Sequence, residues 1–511
     1  MDRKSIAKIS ASIGLISQIV LTILSFISRK IFLDIMGIEY LGLTSTLTQI
    51  LGALALSEMG VQSVVIFRLF RPIIDNDVDE INQILFAFKT IYQYISIFIL
   101  VGSIMLMPFL HIFLKGIDIQ YNIIYVVWIL MSLSSVTSYL LSYNRALFVA
   151  DQKEYRIKII DLICYCVFTI IKLIVILITQ NIFIYIVIDI ICNIASNAIV
   201  LFYRKKIYPW ICKAQPSEKL KKKLLADIKD IFSGKIAAYV FNSTDNIVIS
   251  SMIGTTYVGN VGNYTTITIA IKNILIAIVA PIQNIIGNYL VKRENGKVEG
   301  VFINFTFVMY ILTLSLFLPT ALLIDDFVSL FYGLEYRVDI SFVICLIVSE
   351  YTSVIQIPAG AMADAAGLFF EQKKFLFVSA ILNITLSLFG AYTIGITGVL
   401  IGTIIGNIFN WVMRAYLVYT KVINGNKKGL LGYFLRNVVY ICVFVCIYLT
   451  LSIVYDYFIF ELSFFSFILK GIIAEIVIML TNILLFGRKS EFRYLKQLLC
   501  DSKEYTKNLS T

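Results

Sequence analysis

Apolar stretches of about twenty residues recur from one end of this 511-residue chain to the other, and a helix of that length crosses a hydrocarbon core of about 30 Å. Inside lipid every backbone N–H and C=O must find a partner within the structure, so continuous apolar runs of this length have to be helices. Hydropathy and length place spans at roughly 9–34, 43–67, 90–114, 121–149, 159–179, 182–203, 235–254, 263–290, 302–324, 340–365, 375–394, 398–420, 437–459 and 464–487. The sequence therefore predicts an all-α integral membrane protein of about fourteen transmembrane helices. Its composition agrees: 59% of residues are apolar and 15% charged, whereas soluble domains carry roughly a quarter charged residues.

The formal charge of +11 is not the footprint of a nucleic-acid binder, because no soluble basic module with helical or aromatic readers is visible. The basic residues cluster instead in alternate connecting segments. The N-terminus and segments 68–89, 150–158, 204–234, 291–301, 366–374, 421–436 and 488–511 hold most of the 43 Lys and Arg; the intervening turns hold Lys115 and Arg337. That asymmetry predicts a multi-pass protein of the cytoplasmic membrane with both termini in the cytoplasm. The start, MDRKSIAKIS, is charged like a secretory signal, but the apolar run behind it reaches Leu33, is interrupted by Arg29 and Lys30 and lacks a small-residue cleavage site. It reads as a retained first helix.

Several chemistries fall away. The eight cysteines (Cys164, Cys166, Cys192, Cys212, Cys345, Cys442, Cys446, Cys500) lie in apolar segments or on the expected cytoplasmic side, which argues against a disulfide framework. The Cys164/Cys166 spacing is not that of a metal-ligand pair, and the single His111 leaves no partner for zinc or for a Ser/His/Asp triad. No Gly-x-x-x-x-Gly-Lys-Ser/Thr run is present to bind ATP. Asp75-Asn76-Asp77 has the spacing of a sugar-nucleotide transferase's metal site, but no nucleotide-binding strand pattern surrounds it, and a solvated loop explains it. Neither an enzyme, a metal nor a cofactor is expected.

The chain also repeats itself. GIEYLGL (Gly37–Leu43) recurs as GTTYVGN (Gly254–Asn260), with Gly37, Tyr40 and Gly42 in register with Gly254, Tyr257 and Gly259, 217 residues on. ALFVADQK (Ala146–Lys153) is echoed by GLFFEQKK (Gly367–Lys374) at nearly the same offset. The implied architecture is two parallel six-helix lobes around a central cleft: an N-lobe over 1–203, a basic linker over 204–234, a C-lobe over 235–420, two appended helices over 421–487 and a tail over 488–511. Parallel lobes that rock about a midplane site are a common carrier design. Within the linker, Leu220, Leu224, Leu225, Ile228 and Phe232 share one helical face behind a candidate N-cap at Ser217, which reads either as a helix on an anionic leaflet or as a solvated basic linker.

These features, together with FNSTDNIVISSMIG (Phe241–Gly254) in the seventh span, resemble polysaccharide flippases of the Wzx type, a branch of the superfamily of multidrug, oligosaccharidyl-lipid and polysaccharide exporters. The resemblance covers roughly residues 5–420. It implies that spans 1, 2, 7 and 8 face the cleft. It further implies a cargo of undecaprenyl-diphosphate-linked oligosaccharide, carried from the inner to the outer face of the membrane for surface polysaccharide assembly. Membrane lipids, a coupling H⁺ or Na⁺ and a polysaccharide polymerase are the partners expected with such a cargo.

Ionisable groups at membrane depth are costly unless paired or wetted, so each is a candidate. Arg29 reads as a bidentate phosphate contact or as a snorkelling side chain beside Lys30, and Lys272, two turns before a kink expected at Pro281, as a second phosphate contact. Asp245 falls near the repeat-equivalent of Arg29 and reads either as its structural partner or as a cleft acid. Glu58 and Glu350 are candidate ion-coupling acids, and Glu475 a lesser one that pairs with Lys470. Lys172 and Asp189 are equidistant from the turn at Gln180-Asn181 and should meet as a structural ion pair, while Arg145 and Arg414 are expected to snorkel. Three rival readings remain: a multidrug antiporter of the same superfamily, with an acidic cleft; a membrane glycosyltransferase or polymerase, which the short external turns disfavour; and a membrane scaffold, which leaves the repeat and buried charges unexplained.

Overall fold

The computed structural model describes residues 3–55, 60–140, 142–291, 295–423, 427–458 and 461–494. Every regular element among them is helical. Ten of these helices are long and apolar enough to cross a membrane. The other four expected spans, 9–34, 43–67, 235–254 and 263–290, are mostly helical where described, with interruptions at Gly60 and Thr244, and each includes positions or side chains outside the described set, Glu58 and the side chain of Pro281 among them. The chain forms two compact units, Met1–Gly262 and Asn263–Thr511.

The first unit contains α1 (Arg3–Leu54), α2 (Val61–Asp75), α3 (Val78–Leu106), α4 (Tyr121–Leu140), α5 (Tyr143–Ala150), α6 (Glu154–Thr179), α7 (Ile182–Ile207), α8 (Glu218–Ser243) and the start of α9 (Thr255–Val291). The span expected at 43–67 is broken: α1 stops at Leu54, and α2 starts after Gly60, whose φ of 98° suits a residue without a side chain. Asp75-Asn76-Asp77 is the turn that follows. Asn76 takes a left-handed conformation and Asp77 caps α3 by accepting the Glu80 N–H at 2.9 Å. Asn181 caps α7 in the same way, accepting from the Phe183 and Ile184 amides, so α6 and α7 form a tight antiparallel hairpin.

The basic segment is not a free solvated linker. Ser217 caps α8 as expected, but no break separates this amphipathic stretch from the span behind it, because Gly234 alone costs a helix only about 1 kcal/mol. Part of its apolar face is covered by protein, while Leu225 stays exposed. Leu224 is fully buried against Val64 and Ala87, with Leu220 and Ile228 packed beside it, and Arg68 donates to Asp227. The residues leading into α8 are docked as well: Cys212 N–H donates to Asn82, Ser217 N–H to Gln83, and Tyr208 Oη to Asp151 at 2.5 Å. Burial together with that bond pushes the Tyr208 phenol above its ordinary range.

The second unit holds the remainder of α9, then α10 (Asn295–Phe331), α11 (Ile340–Ile355), α12 (Ile357–Ala365), α13 (Phe369–Ile394), α14 (Ile396–Lys421), α15 (Lys427–Tyr457) and α16 (Phe464–Phe486). Lipid offers no hydrophobic drive for helices to associate, so close packing and interhelical hydrogen bonds must do so. The α13–α14 hairpin shows both: Ser379 Oγ donates to Gly406 O at 2.8 Å, Ser387 Oγ to Val399 O at 2.9 Å and Asn383 to Thr403 at 2.8 Å. At its tip a Cβ on Gly398 would lie 2.1 Å from Gly390 O. Gly398→Val should therefore force the hairpin apart at a cost of about 1–3 kcal/mol or more, read as a lower unfolding temperature in detergent, and an unchanged midpoint would contradict this packing. The C-terminal helices dock on α10 through Tyr310 stacked on Tyr440 at 4.1 Å and through Phe307 against Phe486.

Candidate functional site

The two glycine-tyrosine repeats are in direct backbone contact. α1 is bent at Gly37, whose φ of 82° and ψ of 172° lie outside the helical range and favour glycine. Beyond the bend a Cβ on Gly42 would sit 2.1 Å from Thr255 O, and one on Gly259 2.8 Å from Ile38 O. Each repeat thus uses its last glycine to let the other's backbone approach. Gly254, at φ 162°, is extended and needs no glycine on conformational grounds. Tyr40 is partly buried and Tyr257 exposed. The turn before the second repeat is a short π-helix, Ile249–Ile253, held by Lys115, whose ammonium donates to Met252 O and whose carbonyl accepts the Thr255 N–H.

Arg29 joins these parts. Its Nη2 donates to Gly259 O at 3.0 Å, and a Cβ on Gly262 would fall 2.3 Å from the same nitrogen. The guanidinium also lines a cavity of about 700 Å³ whose walls include Thr44 and Thr48 of α1, Ser134, Ser135 and Ser138 of α4, and Lys172, Tyr185, Asp189 and Asn193 of α6 and α7. A second cavity of about 620 Å³ shares Ser138, Tyr139, Tyr165, Cys192 and Asn193 with the first and adds Gln18, Arg145, Lys158, Asp161, Ser196 and Asn197. The two form one polar groove within the first unit. Its described lining carries four cations (Arg29, Lys172, Arg145 and Lys158) against two carboxylates (Asp189 and Asp161), and Lys158 also meets Glu154 at 3.1 Å.

Two ion pairs stand in this groove. Lys172 Nζ is 2.6 Å from both carboxylate oxygens of Asp189 and 4.0 Å from the centre of the Tyr185 ring. Arg145 does not snorkel. It reaches across to three side chains, with Nη1 2.6 Å from Asp161 Oδ2, Nη2 2.8 Å from Ser196 Oγ and Nε 3.1 Å from Asn197 Oδ1. A charge this close to polar neighbours on α6 and α7 gains more from them than from a stretch to the interface. Arg414 likewise donates to Gln356 Oε1 at 2.9 Å.

The other expected residues lie elsewhere. Lys272 and Glu350 meet in the second unit, Nζ to Oε2, at 3.2 Å. Asp245 is partly buried at the start of the short helix Asp245–Val248. Lys30 pairs with Asp34 one turn on, at 2.7 Å. Lys470 pairs with Asp326, at 2.7 Å, rather than with Glu475, which is exposed on α16. Glu58 lies outside the described residues. The sequence reading passed over Asp161, Ser196, Asn197 and the serines of α4. A signal for the last was present: Ser134, Ser135, Ser138 and Ser142 interrupt an otherwise apolar run.

The chain is thus a multi-pass helical membrane protein with a polar, cation-rich groove inside its first unit. Among solved structures, the chain is similar to "Lipid II flippase MurJ, inward closed conformation", with a TM-score of 0.68 and 14% identity over 94% of this chain and 99% of that one. It is also similar to an inward-facing multidrug resistance MATE family transporter of the MOP superfamily, with a TM-score of 0.61 and 13% identity over 84% and 98% of the two chains. An outward-facing transporter of the same description gives a TM-score of 0.53 and 14% identity over 86% and 97%. The chain has the fold of these transporters. No family model matches the sequence, and no curated protein matches it.

Proposed function

We propose that this chain is an alternating-access flippase that carries undecaprenyl-diphosphate-linked oligosaccharide repeat units from the inner to the outer face of the cytoplasmic membrane, for surface polysaccharide biosynthesis. The observation that carries this reading is the groove's surplus of cations, four against two carboxylates among its described lining residues, in a fold shared with a lipid II flippase. Guanidinium groups match phosphate geometry, and the serine, asparagine and tyrosine walls offer hydrogen bonds and ring faces suited to sugars. The polyprenyl tail stays in lipid. A carrier of cationic drugs needs the opposite balance of charge.

The test is genetic. Cells lacking this chain should retain lipid-linked oligosaccharide on the inner face and lose the corresponding surface polysaccharide. Normal polysaccharide together with increased sensitivity to cationic drugs would instead favour the antiporter.

A further inference from the structure

Arg145 has a construction that Lys172 lacks. Both cations are the buried halves of their pairs, with side chains 20% and 16% exposed, while their carboxylates Asp161 and Asp189 are 44% and 43% exposed. Lys172 bonds both oxygens of Asp189, and losing that carboxylate would strip it of both bonds. Arg145 spends only Nη1 on Asp161. Its Nε and Nη2 are held by the neutral Asn197 and Ser196, so the guanidinium keeps its aim when the carboxylate leaves. Ser196 Oγ also reaches Asp161 Oδ1, at 2.8 Å, and is released by the same departure to serve a new anion.

We propose that Arg145, with Ser196 and Lys158, is a seat for the diphosphate of the lipid-linked cargo, that Asp161 holds the seat at rest, and that the arriving diphosphate displaces Asp161, which takes up one proton. The proposal rests on the flippase reading. Charge balances: the guanidinium exchanges one anionic partner for another, and the freed carboxylate becomes a neutral acid with a proton taken from solvent. The alternative, an ionised carboxylate parted from Arg145 and left beside the newly seated diphosphate, is the costlier state because like charges repel. The groups facing Asp161 are Arg145 from α5, Lys158, Cys164 and Tyr165 from its own helix α6, Cys192 from α7 and Tyr139 from α4, with Gln18 from α1; no second carboxylate lines this cavity among the described residues.

Asp161 and Lys172 are eleven residues apart on α6, about 16 Å at 1.5 Å per residue. A single diphosphate is too short to bridge that distance. The Arg145–Asp161 and Lys172–Asp189 ends of the groove are therefore separate stations, with the sugars along the serine wall between them.

The probe is a polyprenyl-diphospho-N-acetylglucosamine, a diester without a phosphate ionisation near neutral pH, titrated onto the full chain in detergent between pH 6 and 8. One linked proton makes binding weaken about tenfold per pH unit as pH rises. Asp161→Asn keeps an acceptor for Arg145 but cannot ionise; it should flatten that dependence and bind more tightly than the wild type at pH 8, while Asp189→Asn keeps the slope. A flat wild-type profile, or a slope that survives Asp161→Asn, overturns the proposal and leaves the flippase reading standing. The wild-type profile decides this even if the variant fails to fold. Absence of binding at every pH overturns both.

Discussion

Arg29→Gln should lower export of lipid-linked oligosaccharide by about 10- to 100-fold, the equivalent of one charge-assisted hydrogen bond of about 1.5–3 kcal/mol. Glutamine keeps an N–H donor for Gly259 O, at 3.0 Å from the guanidinium in the native chain, so the crossing of the two repeats need not loosen. What disappears is the positive charge facing the groove. Surface polysaccharide should fall while membrane abundance holds. Normal polysaccharide would remove Arg29 from the transport path, and a parallel loss of protein would reduce it to a structural strut.

Lys272→Ala should behave in the opposite way. Its ammonium is 3.2 Å from Glu350, and both side chains are largely buried. Deleting one half of such a pair leaves an uncompensated charge and costs about 3–5 kcal/mol, enough to deplete the protein from the membrane. Adding Glu350→Gln should restore abundance by removing the orphaned carboxylate. The readouts are membrane abundance and unfolding temperature in detergent. Full abundance of the single variant would show that the pair does not support the fold, and would return Lys272 to the list of groups able to meet a phosphate.

Hydropathy made the helices legible because lipid imposes one rule on every span, and the turn at Gln180-Asn181 marked where two neighbouring spans part. The glycine-tyrosine repeats were visible as a pattern. That Gly42 and Gly259 exist to bring two backbones together was not, since close approach is a property of the partner. Lys172 and Asp189 can be set opposite one another from sequence because a tight hairpin fixes register on both sides of its turn. Arg145 offered no such handle. Its partners Asp161, Ser196 and Asn197 come from two other helices, and a basic residue near the end of an apolar run looks like any interfacial anchor. The apolar face of α8 was legible only in part: periodicity tells that a face will be covered, not by what, and here Val64 and Ala87 cover Leu224 while Leu225 stays exposed.

Purified chain reconstituted into vesicles with a fluorescent polyprenyl-diphospho-oligosaccharide measures the central claim directly. Label on the inner leaflet should become accessible to an external quencher or lectin far faster than in protein-free vesicles, and Arg29→Gln should slow that transfer by the same factor as in cells. Transfer no faster than in empty vesicles, from protein shown to be folded, would contradict the account.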